Sequence, residues 1–503
     1  MMSGHRKWFA LVAACMVLAA ACGTRLPDNA AGGVSAGNAS AVGSADGLGA
    51  DASGDVSGAT GEGGADAGAS AGGAAATGGG PAAGGAAAAK ASSSGGGGGS
   101  TESDPGVSDT EIVIGASGPL SGVTGFVGEE AFGAIDAYFQ LVNSQGGVNG
   151  RKLRLITLDD RFDSGQQAAN VRKLYEEHKV SAIFLAFSDA VGQYVTRNNI
   201  PSLVFGVTAP SFSSRFPTVF PLVGNALLWT QEVIAGLKSQ GVFKQGMRVG
   251  MLYDTEILDV SPYLPYLKEA WEKGGATVVS TDPFNLSSGD CTSLVLKMKE
   301  LKIDYWDFQG LGWVLCASAA QRQQYRPPVG WGNWPTSIAG LATQVGPWAE
   351  GIWGGAQGDQ PSGAPRGKTA AHTEYEQTIR RYHPNIATFG HLESPATIGY
   401  WTGAKLLVAA LKAQGRGVTR KGIIDWLSKV KNFDVGITPP IISMAPNCKT
   451  GSEVVWIGQW KWDAAKREAT RTPATGYFTT PWKKDYGGDC FLTKLSDKVI
   501  GAG

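Results

Sequence analysis

The stretch Gly115-Ala-Ser-Gly-Pro-Leu-Ser-Gly122, continued by Gly133-Ala134, Asn143, Gly146-Gly-Val-Asn-Gly-Arg-Lys152 and Asp159-Asp160, decides the fold. Glu111–Ala116 is a short apolar strand that runs into a Gly/Ser loop. Glu129–Ser144 places Phe132, Ile135, Phe139 and Val142 at helical spacing. Gly146-Gly147 and Gly150 supply the positive φ of a helix C-cap and a tight turn. Leu153–Leu158 is a second strand, ending at Asp159-Asp160. Strand, helix and strand in this order predict a parallel pair with a crossover helix. The two adjacent carboxylates have the chemistry of an acid/base pair. Their place at a strand end, before Asp163 and Ser164 cap the next helix, favours loop and capping roles.

The alternation continues down the chain. Ser164–His178 reads as a helix, and Val180–Phe184 and Ser202–Val204 as strands. Met247–Tyr253 and Ala276–Val279 are strands flanking a helix at Pro265–Lys273. The helix Ser293–Leu301 and the strand Ile303–Phe308 follow, then helices at Thr397–Ala413 and Lys421–Lys429 and a Trp-rich strand at Val454–Trp460. Repeated βα units predict an α/β fold of parallel sheets with helices on both faces, and ligands bind such sheets at the carboxyl ends of their strands. Ser188, after the third strand, and Thr208, after the fourth, should lie at that edge.

This succession resembles the opening of the leucine/isoleucine/valine-binding proteins, type I periplasmic-binding proteins that serve as substrate receptors of ABC importers. The likeness is closest up to Pro210 and beyond it keeps the order of elements. It implies two Rossmann-like lobes with parallel sheets, joined by three crossovers near Val223–Asn225, Gly351–Gly355 and Gly436–Pro440. A small ligand would bind between them. It also implies that Ser188 and Thr208 hold the ligand's carboxylate and ammonium, with Gly206 offering a backbone contact where the family has an alanine. Phe187 and Asp189 flank Ser188. Phe126-Val127 stands where the family often has a tyrosine, and Leu258 where the second lobe offers another. The acid that pairs an amino acid's ammonium should fall near Asn333-Trp334, where there is none; Asp189 and Glu256 are the replacement candidates. Trp313, Trp331 and Trp334 crowd that region. They either pack the core and hinge or line the cleft. In the second case the cleft is more apolar than a leucine site, and its ligand lacks an amino group or is aromatic.

The other end of the chain sets the compartment. His5, Arg6 and Lys7 precede an apolar run from Trp8 to Leu18, and Ala19-Ala20-Ala21 leads into Cys22. This is the pattern of a secretory signal peptide. Small residues before a cysteine resemble a bacterial lipoprotein cleavage site, where the cysteine becomes the lipid-bearing N-terminus. The alternative is a secreted protein cut after the same alanines. From Asn29 to Ser100 the chain is almost wholly Gly, Ala and Ser, with too few large apolar side chains to offset the entropy of ordering. As a coil of about 75 residues it would span roughly 45–50 Å. The expected divisions are 1–21 signal peptide, 22–106 linker, 107–224 plus 355–437 lobe one, and 225–354 plus 438–503 lobe two.

Cysteines and charge fit that compartment. Cys291, Cys316, Cys448 and Cys490 remain after export, an even number with three possible pairings. Consecutive βα units would bring the helix starts at Cys291 and Cys316 side by side, which favours Cys291–Cys316 and Cys448–Cys490. Lys and Arg number 43 against 43 for Asp and Glu, with no basic block, so nucleic acid is not an expected partner. From residue 107 on there is no G-x-S-x-G, phosphate-binding loop or H-E-x-x-H; Gly33–Gly37 and Gly68–Gly72 match the first pattern only inside the Gly/Ala/Ser-rich stretch, and the five histidines are scattered. No enzyme, metal or cofactor is expected. A monomeric, lipid-anchored receptor delivering solute to ABC permease subunits is the first reading. A sensory ligand-binding module of the same fold is the second, and neighbouring permease or kinase genes would separate them. If Cys22 carries lipid, Cys22→Ala moves the protein from the membrane fraction to the soluble one; a variant that stays on the membrane refutes the anchor.

Overall fold

The computed structural model describes residues 104–501, apart from 123, 187–190, 256–257, 285–288, 357–367, 388, 453, 476–477, 480–487 and 489. The signal segment, Cys22 and nearly all of the linker lie outside the described residues.

The first sheet is parallel throughout. Its strands β1 (Glu111–Gly118), β2 (Lys152–Asp159), β3 (Ile183–Leu185), β4 (Ser202–Val204) and β5 (Val219–Pro221) lie in the order β2-β1-β3-β4-β5. Helices α1 (Gly125–Ser144), α2 (Ser164–Glu176), α3 (Gly192–Arg197) and α4 (Ala209–Phe212) occupy the connections. On one face of β1, Ile112, Ile114 and Ala116 share a core with Phe132, Ile135 and Phe139 of α1. On the other, Val113 joins Val171 and Leu174 of α2. Burial on both faces is why this strand is an unbroken apolar run rather than an alternating one. The paired aspartates at its edge serve the loop. Asp159 accepts from Leu120 N and Ser121 Oγ, and the buried Asp160 from Ser117 Oγ, Gln167 Nε2 and Phe162 N. Asp163 caps α2 through Gln166 N at 2.6 Å.

The second sheet is built the same way. α5 (Ala226–Ser239) leads to β6 (Arg248–Asp254), α6 (Leu264–Gly274), β7 (Thr277–Phe284), α7 (Thr292–Glu300), β8 (Tyr305–Gln309), α8 (Trp313–Arg322), β9 (Gly330–Trp331) and α9 (Ala339–Val345). The order β7-β6-β8-β9 is again all parallel. After β10 (Trp353–Ala356) the chain returns to the first lobe through α10 (Ala370–Tyr382), α11 (Phe389–Leu392), α12 (Pro395–Ala413) and α13 (Arg420–Leu427). α10 and α12 pack on α1, with Trp401 set edge-on against Tyr138 at 5.0 Å and Tyr375 at 5.2 Å.

The last third departs from an all-parallel expectation. β11 (Lys431–Phe433), β12 (Ile441–Ala445) and β13 (Cys448–Lys449) form an antiparallel sheet. β14 (Val454–Asp463) pairs antiparallel with β10, with β15 (Glu468–Pro473) and with β16 (Phe478–Thr479). β10 and β14 pair with each other and extend neither parallel sheet. Val223, in the stretch expected as the first crossover, is packed against the turn at Gly451. A Cβ on Gly451 would sit 2.3 Å from Val223 O, and φ there is 57°. The final helix α14 (Phe491–Gly501) lies against α4. Its Asp497 accepts from Ser213 Oγ at 2.6 Å and Ser214 N at 2.8 Å, and the buried Lys449 Nζ donates to Ser213 O and Phe216 O.

Cys291 is bonded to Cys316 with Cα atoms 4.9 Å apart, and Cys448 to Cys490 at 4.6 Å. Cys291 precedes α7 as its N-cap. Cys316, expected at a helix start, lies one turn inside α8, because that helix begins at Trp313. Among the described residues no helix is long and apolar enough to cross a membrane, and no group of His, Cys, Asp and Glu is placed to hold a metal. The bridges span 25 and 42 residues. Chain entropy assigns each roughly 3–4 kcal/mol. Peptide mapping without reduction should recover these two pairs, and Cys291→Ala with Cys316→Ala should lower unfolding free energy by about that amount. Crossed pairs would refute the assignment.

Candidate functional site

The segments that follow β1 and β8, one strand of each parallel sheet, face a common cavity, at the strand ends where such sheets bind ligands. Phe126 is half-buried in the first turn of α1, whereas Val127 beside it is fully buried in the core. Gly206 has φ 73°, and a Cβ there would lie 2.9 Å from Pro221 Cβ. The turn therefore takes glycine where the resemblance led to alanine. Thr208 follows, 2% exposed, at the N-cap of α4. Its hydroxyl makes no cap bond, and it has no hydrogen-bond partner among the described residues. Phe187, Ser188, Asp189 and Glu256 lie outside the described residues.

A cavity of about 210 Å³ opens between Thr124 and Phe126 of the first lobe and α8 and α9 of the second. Leu311, Val314, Leu315 and Leu341 line it, with Ser318 and Gln344 as further polar groups. Among the described residues no charged side chain lines this cavity.

Beneath the second lobe's edge is a buried polar network that the sequence did not announce. Asp307 on β8 accepts from Asn333 Nδ2 at 2.5 Å, Trp271 Nε1 at 2.9 Å and Gln309 Nε2 at 3.0 Å. Asn333 and Gln309 both also donate to Thr230 Oγ1 of α5. Burial pushes the Asp307 carboxyl up to about 6, against the pull of these donors. Near the position where the resemblance called for an acid, Asn333 thus reaches back to an acid on the neighbouring strand. The sequence signal was an aspartate set among the aromatics Tyr305, Trp306 and Phe308.

The tryptophans divide by what their indoles do. Trp313 is fully buried and donates to Pro335 O at 3.1 Å, and Trp460 to Thr336 O at 2.7 Å. Trp331 packs among Trp306, Phe308 and Trp348. Trp334 and Trp229 meet edge to face at 5.6 Å, and neither indole N–H has an acceptor among the described residues. Trp229 belongs to α5, whose first residue donates from Ala226 N to Val207 O, beside Thr208. It went unnoticed in the sequence because it lies just past the first crossover, inside what reads as an ordinary apolar helix.

Two charged groups complete the surroundings. Arg471 is stacked between Trp456 and Trp460 at 4.8 and 4.6 Å, and burial pushes its guanidinium down to about 9 against the attraction of Glu393. Glu130, buried on α1, accepts from Ser394 Oγ and pairs with His391 Nδ1 at 2.6 Å. Burial raises the Glu130 carboxyl, and the bond to Glu130 raises the His391 imidazole. None of these groups forms a nucleophile–base pair. The arrangement can desolvate, hold and release a small molecule.

Comparison with known proteins agrees. The profile of the periplasmic binding protein family matches residues 111–467. The Leu/Ile/Val-binding protein homolog 7 of Brucella melitensis is 23% identical over 371 residues, covering 70% of this chain and 85% of that protein. A fatty acid ABC transporter substrate-binding protein from Thermomonospora curvata superposes with a TM-score of 0.65 at 22% identity, over 76% of this chain and 96% of that one. A branched chain amino acid ABC transporter protein from Thermus thermophilus, solved with bound valine, gives 0.64 at 16% identity, over 75% and 99%. At these identities the two structures carry the fold alone. With a family profile spanning most of the folded chain, two parallel-sheet lobes and a cleft at their strand ends, the chain belongs to the periplasmic binding protein family and is a solute-binding protein.

Proposed function

We propose that this protein is an extracytoplasmic receptor that captures a small molecule between its lobes and hands it, unchanged, to the permease subunits of an ABC importer. It acts as a monomer, tethered by lipid on Cys22, with the Gly/Ala/Ser-rich stretch as a flexible lead. The observation that carries this reading is a buried hydroxyl, Thr208 Oγ1, left without a partner at a parallel-strand end. A buried polar group without a hydrogen bond costs about 1–3 kcal/mol, and a bound ligand removes that cost. The apolar cavity shared by the two lobes adds a place for the ligand's body. Segments passing three times between the lobes let them close as rigid bodies on what they hold. The solved relatives, a fatty-acid and a valine binder, bracket the ligand as a small molecule with an apolar part: a branched-chain amino acid or its like, an amide, or an aliphatic or aromatic acid. Ser188 and Asp189, one strand over, are assigned to the same wall.

A thermal-shift screen across amino acids, amides and aliphatic and aromatic acids finds the ligand, since a compound at 100 times its Kd stabilises by about 2.7 kcal/mol. With that ligand, Thr208→Val and Ser188→Ala should each weaken binding about 5- to 150-fold in titration calorimetry. Unchanged affinity with a lowered melting temperature would assign the hydroxyl to local structure instead.

A further inference from the structure

Taking the solute-binding reading as its basis, we infer that the ligand is an apolar monocarboxylic acid without an amino group, bound by the indole N–H groups of Trp229 and Trp334 together with Thr208. Trp229 stands in the first turn of α5, Trp334 packs on it, and Thr208 follows the residue that accepts from that turn. Ala226 N donates to Val207 O at 3.0 Å, which sets the first turn of α5 against the loop that bears Thr208. Helical side chains lean toward the preceding turn, so the Trp229 ring lies over that end of α5. Trp334 packs on Trp229 with ring centroids 5.6 Å apart. All three residues are at least 98% buried, and the hydroxyl and both indole N–H groups lack partners among the described residues. An indole N–H can only donate. Two unmet donors and a hydroxyl in one dry place call for an acceptor, and a carboxylate is the strongest small one.

Other unmet indoles, those of Trp306, Trp331, Trp353 and Trp401, sit within β8, β9, β10 and α12 rather than beside a strand-end loop. The acid behind Trp334, Asp307, is committed to Asn333, Gln309 and Trp271. An ammonium at this end would face donors of its own sign.

The rest of the ligand follows from the sheet. β4, which ends near Thr208, is separated from β1 by one strand, so the two loops are about 10 Å apart at two strand spacings. At the β1 end lies the cavity of about 210 Å³ walled by Phe126, Leu311, Leu315 and Leu341. A carboxylate at one end and a hydrocarbon body at the other describe an alkanoic acid of medium length.

Titration calorimetry on the full-length protein with hexanoate, octanoate, decanoate, octanamide and leucine tests this. Octanoate should bind at least about tenfold more tightly than octanamide or leucine. Affinity should rise about fourfold per methylene until the cavity is full. Trp229→Phe and Trp334→Phe keep a ring but remove the donor. Each should weaken octanoate roughly 10- to 100-fold while the ligand-free melting temperature holds or rises, since a buried donor without a partner is lost. A drop in that melting temperature with octanoate affinity unchanged would overturn the indole assignment. Tighter binding of leucine than of every alkanoate would overturn the carboxylic-acid class and leave solute capture standing. If no compound binds here or in a broad solute screen, both fail.

Discussion

A parallel strand buried on both faces can carry no polar chemistry along its length. β1 meets that constraint with Ile112, Ile114 and Ala116 on one side and Val113 on the other, covered by α1 and α2. Polar groups gather at the strand ends, where Asp159 and Asp160 organise the loops and Thr208 follows β4, buried and without a partner among the described residues. The second lobe obeys the same rule with one exception. Asp307 stands mid-strand, and its burial is tolerated because three donors converge on it. That network also fixes Asn333, and with it the backbone turn that presents Trp334.

The parallel architecture was legible because βα units repeat within short stretches of chain, each with its own periodicity and cap. The antiparallel pairing was not. β10 finds β14 about a hundred positions away, and nothing local in Trp353–Ala356 tells that its partner will run antiparallel. Cys316 shows the same limit at smaller scale: the helix was foreseen, but it starts three residues earlier, at Trp313.

Position in the βα pattern pointed to Thr208, which is buried and without a partner among the described residues, whereas Phe126 came from the family resemblance and lines the cavity. Composition could only report that tryptophans were dense. Sorting Trp313, whose N–H goes to Pro335, from Trp334, whose N–H has no acceptor among the described residues, requires knowing where carbonyls lie in space. Trp229 and Asp307 were hidden for the same reason. Each sits in a segment whose apolar pattern already accounts for it, and its significance comes from neighbours on other elements. The acid expected near Asn333 is not there, and the one on the neighbouring strand, Asp307, is taken up by Asn333, Gln309 and Trp271.

The seam between α14 and α4 bears on how the protein is made. The loop that carries Thr208 continues into Ser213 and Ser214, which are fastened by Asp497, and by Lys449 beside the Cys448–Cys490 bridge. The wall of the cleft is therefore finished by residues nearly three hundred positions downstream. Until the segment 448–497 has folded against it, the loop after β4 lacks these ties, so the first sheet can form before the surroundings of Thr208 are complete.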